Sequence, residues 1–201
     1  MAKAVTLSNP RIPVGDLTAF CLEAMLKSGL DEEDARFTAD VFTTTDMMGT
    51  FTHGTRQSRG LMKNVRMNRI NPRMRDEIAG EDPAWAMVDA HYAMPPAVSC
   101  RSMGLAIRKA KASGLGYVGV KHISHFGAAG YYANMAAKHD MIGLVMCNVE
   151  PCVTVPGART KVLGTNPIAY AVPTGNERPV FLDIATITVA ATKIFTSRDL
   201  D

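Results

Sequence analysis

The sequence has few features of exported, membrane-spanning or disulfide-linked proteins. Its four cysteines, Cys21, Cys100, Cys147 and Cys152, form no C-x-x-C motif, which favours neither a disulfide framework nor a thiolate zinc site. No run reaches the roughly 20 apolar residues of a membrane-spanning helix, and residues 1–10 contain no apolar core of a signal peptide. We therefore expect an unexported, soluble, cytoplasmic chain with buried, reduced thiols and no membrane partner.

The net charge is also small. A value of +3 implies no polyanionic partner, although basic residues are concentrated between Arg56 and Arg75. These charges are spaced along a predicted helix and are followed at once by acidic residues in 76–82, so a solvated helix face is favoured over a nucleic-acid interface. Binding to nucleic acid through this basic run is therefore the least favoured hypothesis, and it predicts an affinity that falls steeply with salt.

The first 75 residues are predicted to be mostly helical. Gly29 ends a first helix, Asp31 caps a second whose first turn is acidic, and a third runs from near His53 to Arg69, before Asn71-Pro72. The buried face of the first helix is predicted from its spacing to contain Leu17, Phe20, Cys21, Ala24 and Met25.

The sequence pattern changes after residue 75, where short apolar runs alternate with helical patterns. This alternation predicts a layered α/β domain over 76–201, following a helical segment over 1–75. Gly114-Leu115-Gly116-Tyr117-Val118-Gly119 fits G-x-G-x-x-G, but it follows a helix and enters a strand, so Gly114 is predicted to be a helix C-cap and not part of a dinucleotide fingerprint. Strands are predicted at 85–89, 117–120, 142–147 (fully buried), 168–172 and 180–183, and helices after Pro95-Pro96, from Tyr131 to His139 and over 186–195.

Two histidine-containing segments carry the chemistry. Thr52-His53-Gly54-Thr55-Arg56 combines an imidazole, suited to exchanging a proton with a carbonyl or carbinol oxygen, with an arginine suited to a carboxylate. The alternative is a capping threonine beside a surface histidine. His122-Ile123-Ser124-His125 has H-x-x-H spacing but no third ligand at a matching distance, so no metal site is predicted. The small residues that follow would let a ligand approach a helix start, and an N-cap serine explains them equally well.

Taken in order, the segments resemble the type 2 malate/L-lactate dehydrogenase family, whose relatives include ureidoglycolate, sulfolactate, diketogulonate and cyclic imino acid reductases. The resemblance covers nearly all of the chain. It implies a non-Rossmann α/β fold, NAD or NADP as cofactor, a small 2-oxo or 2-hydroxy acid substrate, and a homodimer with the active site between domains. The landmarks are Thr52-His53-Gly54, Ser124 to Tyr132, Asn148 to Gly157, Gly164 to Ala169 and Asp183 to Thr186.

The resemblance also implies roles for individual residues. His53 would be the proton donor or acceptor, with Thr52 where many members have serine, and His125 would contact the cofactor or the reacting atoms. Arg56, Asn148, Thr165 and Asn166 would bind substrate, and the cofactor would be bound by Ser124, His125, Phe126, Gly127, Ala128, Asp183, Ile184 and Ala185.

The sequence departs from the family pattern in three places. Gln57 stands where many relatives have a substrate-binding arginine, Ile187 replaces a serine, and Thr192 replaces a glycine before Lys193. The chain is also shorter than is usual for the family, so we expect a C-terminally truncated member. The alternative function is that of a non-catalytic paralogue acting as an oligomeric interaction or structural subunit.

Overall fold

The computed structural model describes residues 11–187, which form five helices and two three-stranded sheets. This arrangement confirms the predicted α/β class. The elements are α1 (Val14–Lys27), α2 (Glu32–Met47), α3 (Gln57–Arg66), β1 (Glu77–Asp82), β2 (Trp85–Asp89), α4 (Pro95–Ser113), β3 (Tyr117–Lys121), α5 (Ala129–Ala137), β4 (Gly143–Met146), β5 (Ile168–Thr174) and β6 (Glu177–Ile184).

The first two helices follow their sequence signals. Helix α1 ends at Lys27 before Gly29, whose positive φ of 93° is a conformation that favours glycine. The Asp31 side chain accepts a hydrogen bond from the Asp34 N–H at 2.9 Å, which confirms the predicted cap of α2. The prediction for Phe20 was wrong: this side chain is 69% exposed because the packed face of α1 centres on Cys21 and Met25.

Helix α3 is shorter than predicted. It begins at Gln57 and not near His53, and it ends at Arg66 and not at Arg69. The residues before it form a series of turns, in which the His53 N–H donates to Thr50 O and the Thr55 N–H donates to the Asp46 carboxylate. Because these N–H groups have partners outside a helix, His53 lies on a turn between α2 and α3.

The first sheet has the order β1-β2-β3. Strand β1, which was not predicted, pairs antiparallel with β2, and β2 pairs parallel with β3 through the crossover helix α4. Both prolines, Pro95 and Pro96, lie in the first turn of α4, where a missing N–H costs nothing. Gly114 is the left-handed C-cap of α4 at φ 79°, which confirms that the G-x-G-x-x-G match is a helix ending.

The second sheet, β4-β5-β6, is antiparallel and is covered by α5 on one face. Ala169 and Ala171 on β5 are buried against this helix. The prediction that 142–147 is a fully buried strand was wrong, since Leu144 and Met146 are 54% and 62% exposed. Their side chains alternate with the α5-facing ones and therefore lie on the opposite face.

One hydrophobic cluster joins the N-terminal helices to the later part of the chain. Met25, Phe42, Leu61, Cys100 and Tyr132 all belong to it. The division into segments 1–75 and 76–201 therefore stays a prediction about organisation, with a core that both segments share.

The cysteines are partly as predicted. All four are free thiols, and Cys21 and Cys100 are buried, but Cys147 is only partly buried and Cys152 is exposed. Over residues 11–187, no helix has the length and apolarity needed to cross a membrane, and no cluster of histidine, cysteine and carboxylate side chains could hold a metal ion. The helix predicted over 186–195 lies, beyond residue 187, outside the described residues.

Candidate active site

The turn between α2 and α3 presents His53. The Thr52 hydroxyl lies 2.9 Å from His53 Nδ1, so this ring nitrogen already has a partner and Nε2 remains for another group. The Gln57 side-chain amide donates to Thr52 O at 2.5 Å, which fixes the backbone just before the histidine. The two residues predicted to act together, Thr52 and His53, are thus in direct contact.

The loop between β3 and α5 brings His125 to the same place. The rings of His53 and His125 stack, with their centroids 5.4 Å apart and an interplanar angle of 28°. The Gly127 N–H donates to His125 Nδ1 at 3.2 Å, so the neutral ring carries its proton on Nε2. We call His53 and His125 the imidazole pair; the structure unites two residues that the sequence separates widely.

Both imidazoles are held in the neutral form at pH 7. Burial lowers the pKa of His53, and the nearby Asp183 carboxylate opposes part of this effect. Protein atoms packed around the ring also lower the pKa of His125, to about 4, although this residue keeps an exposed surface, and the adjacent His53 adds to the lowering because two stacked cations would repel each other. A neutral imidazole is the form that can accept a proton.

Asp183 on β6 connects the second sheet to the start of α5. Its Oδ2 atom accepts a hydrogen bond from the Gly130 N–H at 2.8 Å. A Cβ atom at Gly130 would lie 2.3 Å from the Phe181 ring and 2.8 Å from Asp183 Oδ2, so a larger residue there would displace both side chains. Two further predicted cofactor residues lie at the end of this strand: Ile184 is the last residue of β6, and Ala185 follows it.

Ser124 does not cap α5. The helix begins at Ala129, its N-cap is Ala128, and no side chain caps it, because four residues separate Ser124 from the first turn. Ser124 is exposed on the loop, whereas Ala128 is buried and Gly127 adopts a φ of 94°. Phe126 packs against both hydrophobic clusters that include residues of α5. Its carbonyl accepts a hydrogen bond from the Tyr132 hydroxyl.

The predicted substrate residues Asn148, Thr165 and Asn166 lie together at one edge of the second sheet. Asn148 follows the end of β4, and the other two precede β5. The Asn166 side-chain oxygen accepts from the Val149 N–H at 3.0 Å, and Thr165 O accepts from the Thr186 N–H at 2.9 Å. Since β5 and β6 pair through Ile168 and Ile184, Asp183 lies near the same edge.

The remaining predicted substrate residue is Arg56, the N-cap of α3. It is exposed and lines a groove of about 280 Å³ between α1 and α3, together with Thr55 and Ser58. The side of the groove formed by α1 is apolar, since its lining residues there are Leu17, Phe20, Cys21 and Ala24.

One residue of the candidate site, Asp46 in the last turn of α2, was not predicted from the sequence. Its carboxylate accepts hydrogen bonds from the backbone and side chain of Thr55, two residues beyond His53. A carboxylate near a helix C-terminus opposes the helix dipole, and that conflict is the signal that could have pointed to a role for it.

The lowered pKa values predict how stability depends on pH. Each folded-state pKa lies below the ordinary histidine value of 6.5, so between pH 6.5 and about 4 the unfolded chain binds more protons. The free energy of unfolding is therefore expected to fall as the pH drops through this interval.

Urea unfolding between pH 7.5 and 4.5 measures this effect. His125→Gln, which cannot gain a proton, is expected to flatten the dependence. An identical slope in this variant and in the unchanged chain would contradict the prediction.

Comparisons with known proteins find relatives that match most of this chain. The sequence profile of malate/L-lactate dehydrogenases matches residues 12–200. The chain is 40% identical to the L-sulfolactate dehydrogenase of Methanocaldococcus jannaschii over 86% of its own length and 50% of that protein. It is 38% identical to the malate dehydrogenase of Pyrococcus horikoshii over 92% of its length and 51% of that protein.

The fold matches in the same way. The structure superposes on the P. horikoshii malate dehydrogenase structure with a TM-score of 0.89 at 37% identity, covering 92% of this chain and 53% of that one. For a malate dehydrogenase structure from Entamoeba histolytica the TM-score is 0.91 at 29% identity, over 95% and 53% of the two chains. The chain thus has the α/β fold of these malate dehydrogenase structures. The chain belongs to the malate/L-lactate dehydrogenase family and spans about half the length of these relatives.

Proposed function

We propose that this chain carries the proton-transfer site of a nicotinamide-dependent oxidoreductase that interconverts 2-hydroxy acids and 2-oxo acids. The observation that carries the proposal is the stacked, neutral imidazole pair beside the Asp183 carboxylate. Neutral histidine is the usual general base for an alcohol proton, and a nearby carboxylate stabilises the imidazolium that results. The names of the relatives, sulfolactate and malate dehydrogenases, support this substrate class.

His53 is the proton acceptor in the oxidation direction. With Nδ1 held by Thr52, its Nε2 takes the proton of the substrate hydroxyl as the bond from C2 to hydrogen breaks. In the reduction direction, protonated His53 returns that proton to the oxygen of the 2-oxo acid. His125 lies against His53, and its low pKa keeps a second positive charge out of the site.

The cofactor in this proposal is NAD or NADP, which supplies hydride acceptance or donation at its nicotinamide ring. The residues fit the nicotinamide end of the molecule. Because the Asp183 carboxylate occupies the N–H of Gly130 at the start of α5, a phosphate would meet a negative charge there. The cationic oxidised nicotinamide suits the same position, next to Ser124, Phe126 and Gly127.

Substrate binding is assigned to the edge of the second sheet and to Arg56. Asn148 and Thr165 lie where the strands of this sheet end, and the guanidinium of Arg56 has the charge to bind a carboxylate. The Asn166 side-chain oxygen is engaged with the Val149 N–H, so only its NH₂ group is assigned to substrate. Gln57, at the family's arginine position, serves the backbone of Thr52 instead. We also propose a homodimer, as the resemblance implies.

Titration of the purified chain with NADH and NADPH, followed by nicotinamide fluorescence, tests the proposal. We expect saturable binding of at least one, and turnover when sulfopyruvate, oxaloacetate or pyruvate is added. Asp183→Asn is expected to weaken binding of the oxidised cofactor, measured by its displacement of bound NADH or NADPH, more than that of the reduced one, because only the oxidised ring is a cation.

A folded chain that binds neither nucleotide would overturn the proposal and favour the non-catalytic subunit. Circular dichroism on the same sample establishes that the chain is folded. Equal effects of Asp183→Asn on both redox forms would contradict the placement of the ring.

A further inference from the structure

Asp46 has contacts that the proposed reaction does not yet use. Its Oδ2 atom accepts two hydrogen bonds from one residue, at 3.2 Å from Thr55 N and 2.5 Å from Thr55 Oγ1. Both donors belong to the turn that carries His53. A carboxylate with two donors to a single residue fixes both the position and the orientation of that residue.

The other oxygen of Asp46 explains the glycine that follows His53. A Cβ atom at Gly54 would lie 1.8 Å from Asp46 Oδ1 and 3.0 Å from Phe42 O, so the turn passes directly over the carboxylate and the last turns of α2. Gly54 is buried and its φ is not positive, so the requirement for glycine comes from this close approach and not from backbone conformation.

The turn is fixed from the other side as well. Gln57 donates to Thr52 O, and the Thr52 hydroxyl contacts His53 Nδ1. His53 O lies 3.6 Å from the position that a Cβ atom at Gly127 would occupy, so the turn also contacts the loop that carries His125. Movement of the turn would therefore alter the stacking of the imidazole pair.

We infer that Asp46 is the positioning residue of this site: its carboxylate holds Thr55 by two hydrogen bonds and packs directly against Gly54, and it thereby fixes the position of His53 relative to His125. This inference rests on the proposed function for its kinetic consequence only. Its structural consequence, the geometry of the imidazole pair, is measurable whether or not the chain turns over substrate. A displacement of about 1 Å at a reacting group can cost roughly a hundredfold in rate.

The test compares Asp46→Asn, Asp46→Ala and Thr55→Val with a matched control, Asp82→Asn, at an exposed carboxylate on β1. Asp46→Asn keeps the shape and one acceptor oxygen, whereas Asp46→Ala removes both. Histidine side-chain NMR reports the His53 and His125 resonances and their titration, and steady-state kinetics separate kcat from KM.

We expect Asp46→Ala to shift the NMR signals of both imidazoles and to lower kcat by roughly tenfold to a hundredfold, with nicotinamide affinity retained. Asp46→Asn should restore much of both losses, Thr55→Val should act in the same direction as Asp46→Ala, and Asp82→Asn should change neither. An Asp46→Ala protein that unfolds earlier in urea but keeps native imidazole signals and native kcat would overturn the inference and assign Asp46 a purely structural role.

The two proposals fail in different ways. Absence of turnover in the unchanged chain counts against the proposed function and leaves the NMR comparison intact. Should Asp46→Ala not fold, Thr55→Val carries the comparison, and unshifted imidazole signals in that variant would overturn the inference.

Discussion

Replacing Arg101 with methionine is expected to destabilise the fold by about 3–5 kcal/mol, because Asp76 loses its cation and the buried Asp34 keeps only the half-exposed Arg75. Arg101 on α4 donates from Nε to Asp76 at 2.7 Å and also contacts Asp34, whose side chain is only 1% exposed. Burial raises the pKa of Asp34, and Arg101 is the main group opposing this effect. Arg75 also reaches Asp34, at 2.9 Å, but its own side chain is half exposed and is shared with Asp31.

Arg36→Met is the matched control for this prediction. Arg36 pairs with Glu32 one turn away on α2, at 2.5 Å, but both side chains are more than 60% exposed. Its loss is expected to cost less than about 0.5 kcal/mol. Urea unfolding of the two variants measures the difference. Equal and small effects would show that the Arg101 network only offsets its own desolvation, and that Arg75 suffices for Asp34.

The contacts of Asp34 also show which features of the N-terminal helices could be predicted from the sequence and which could not. Asp34 was read only as one of several acids near a helix N-terminus, where its charge favours the first turn. Its partners, Arg75 and Arg101, lie 41 and 67 residues further along the chain, and no local pattern links them. Local signals such as the Asp31 cap and the Gly114 C-cap were predicted correctly because each acts within a few residues, whereas α4 begins at Pro95 and not after Pro96.

The errors in the fold have the same origin. An apolar run such as 142–147 indicates a strand, but burial depends on what covers each face, and α5 covers one face only. Strand β1 was missed because half of its residues, Glu77–Asp82, are acidic and its strand state comes from pairing with β2. Phe20 matches the helical spacing of the apolar residues in α1, but it lies at the margin of their face, where its side chain is exposed to solvent.

The site was predictable in its members but not in its geometry. His53 and His125 were singled out by neighbouring polar and small residues, and their roles came from a family resemblance. Their stacking, the Asp183 carboxylate near His53 and the Asp46 hydrogen bonds to Thr55 depend on tertiary contacts between α2, the two loops and β6. Gln57 shows the limit clearly: as a departure from the family pattern it indicated a lost substrate contact, whereas the structure shows what it contacts instead.

His53→Ala is expected to lower kcat/KM by roughly 10²–10⁴-fold, the usual contribution of a general acid or base. Nicotinamide affinity should be retained, because the variant removes proton transfer and leaves Asp183 and its contact with Gly130 in place. Removing the ring opens space beside His125, so added imidazole is expected to restore part of the rate. His139→Ala, at an exposed histidine after α5, is the control and should leave turnover unchanged.

The pH profile separates proton transfer from simple loss of packing. Oxidation of the 2-hydroxy acid needs neutral His53, and its lowered pKa places the acidic limb of kcat/KM below pH 6.5. The limb should disappear in His53→Ala and return with added imidazole, at a pH nearer the pKa of free imidazole. If His53→Ala loses rate but keeps the same limb, the proton acceptor is another group, and His125, the other member of the stacked pair, becomes the residue to replace next.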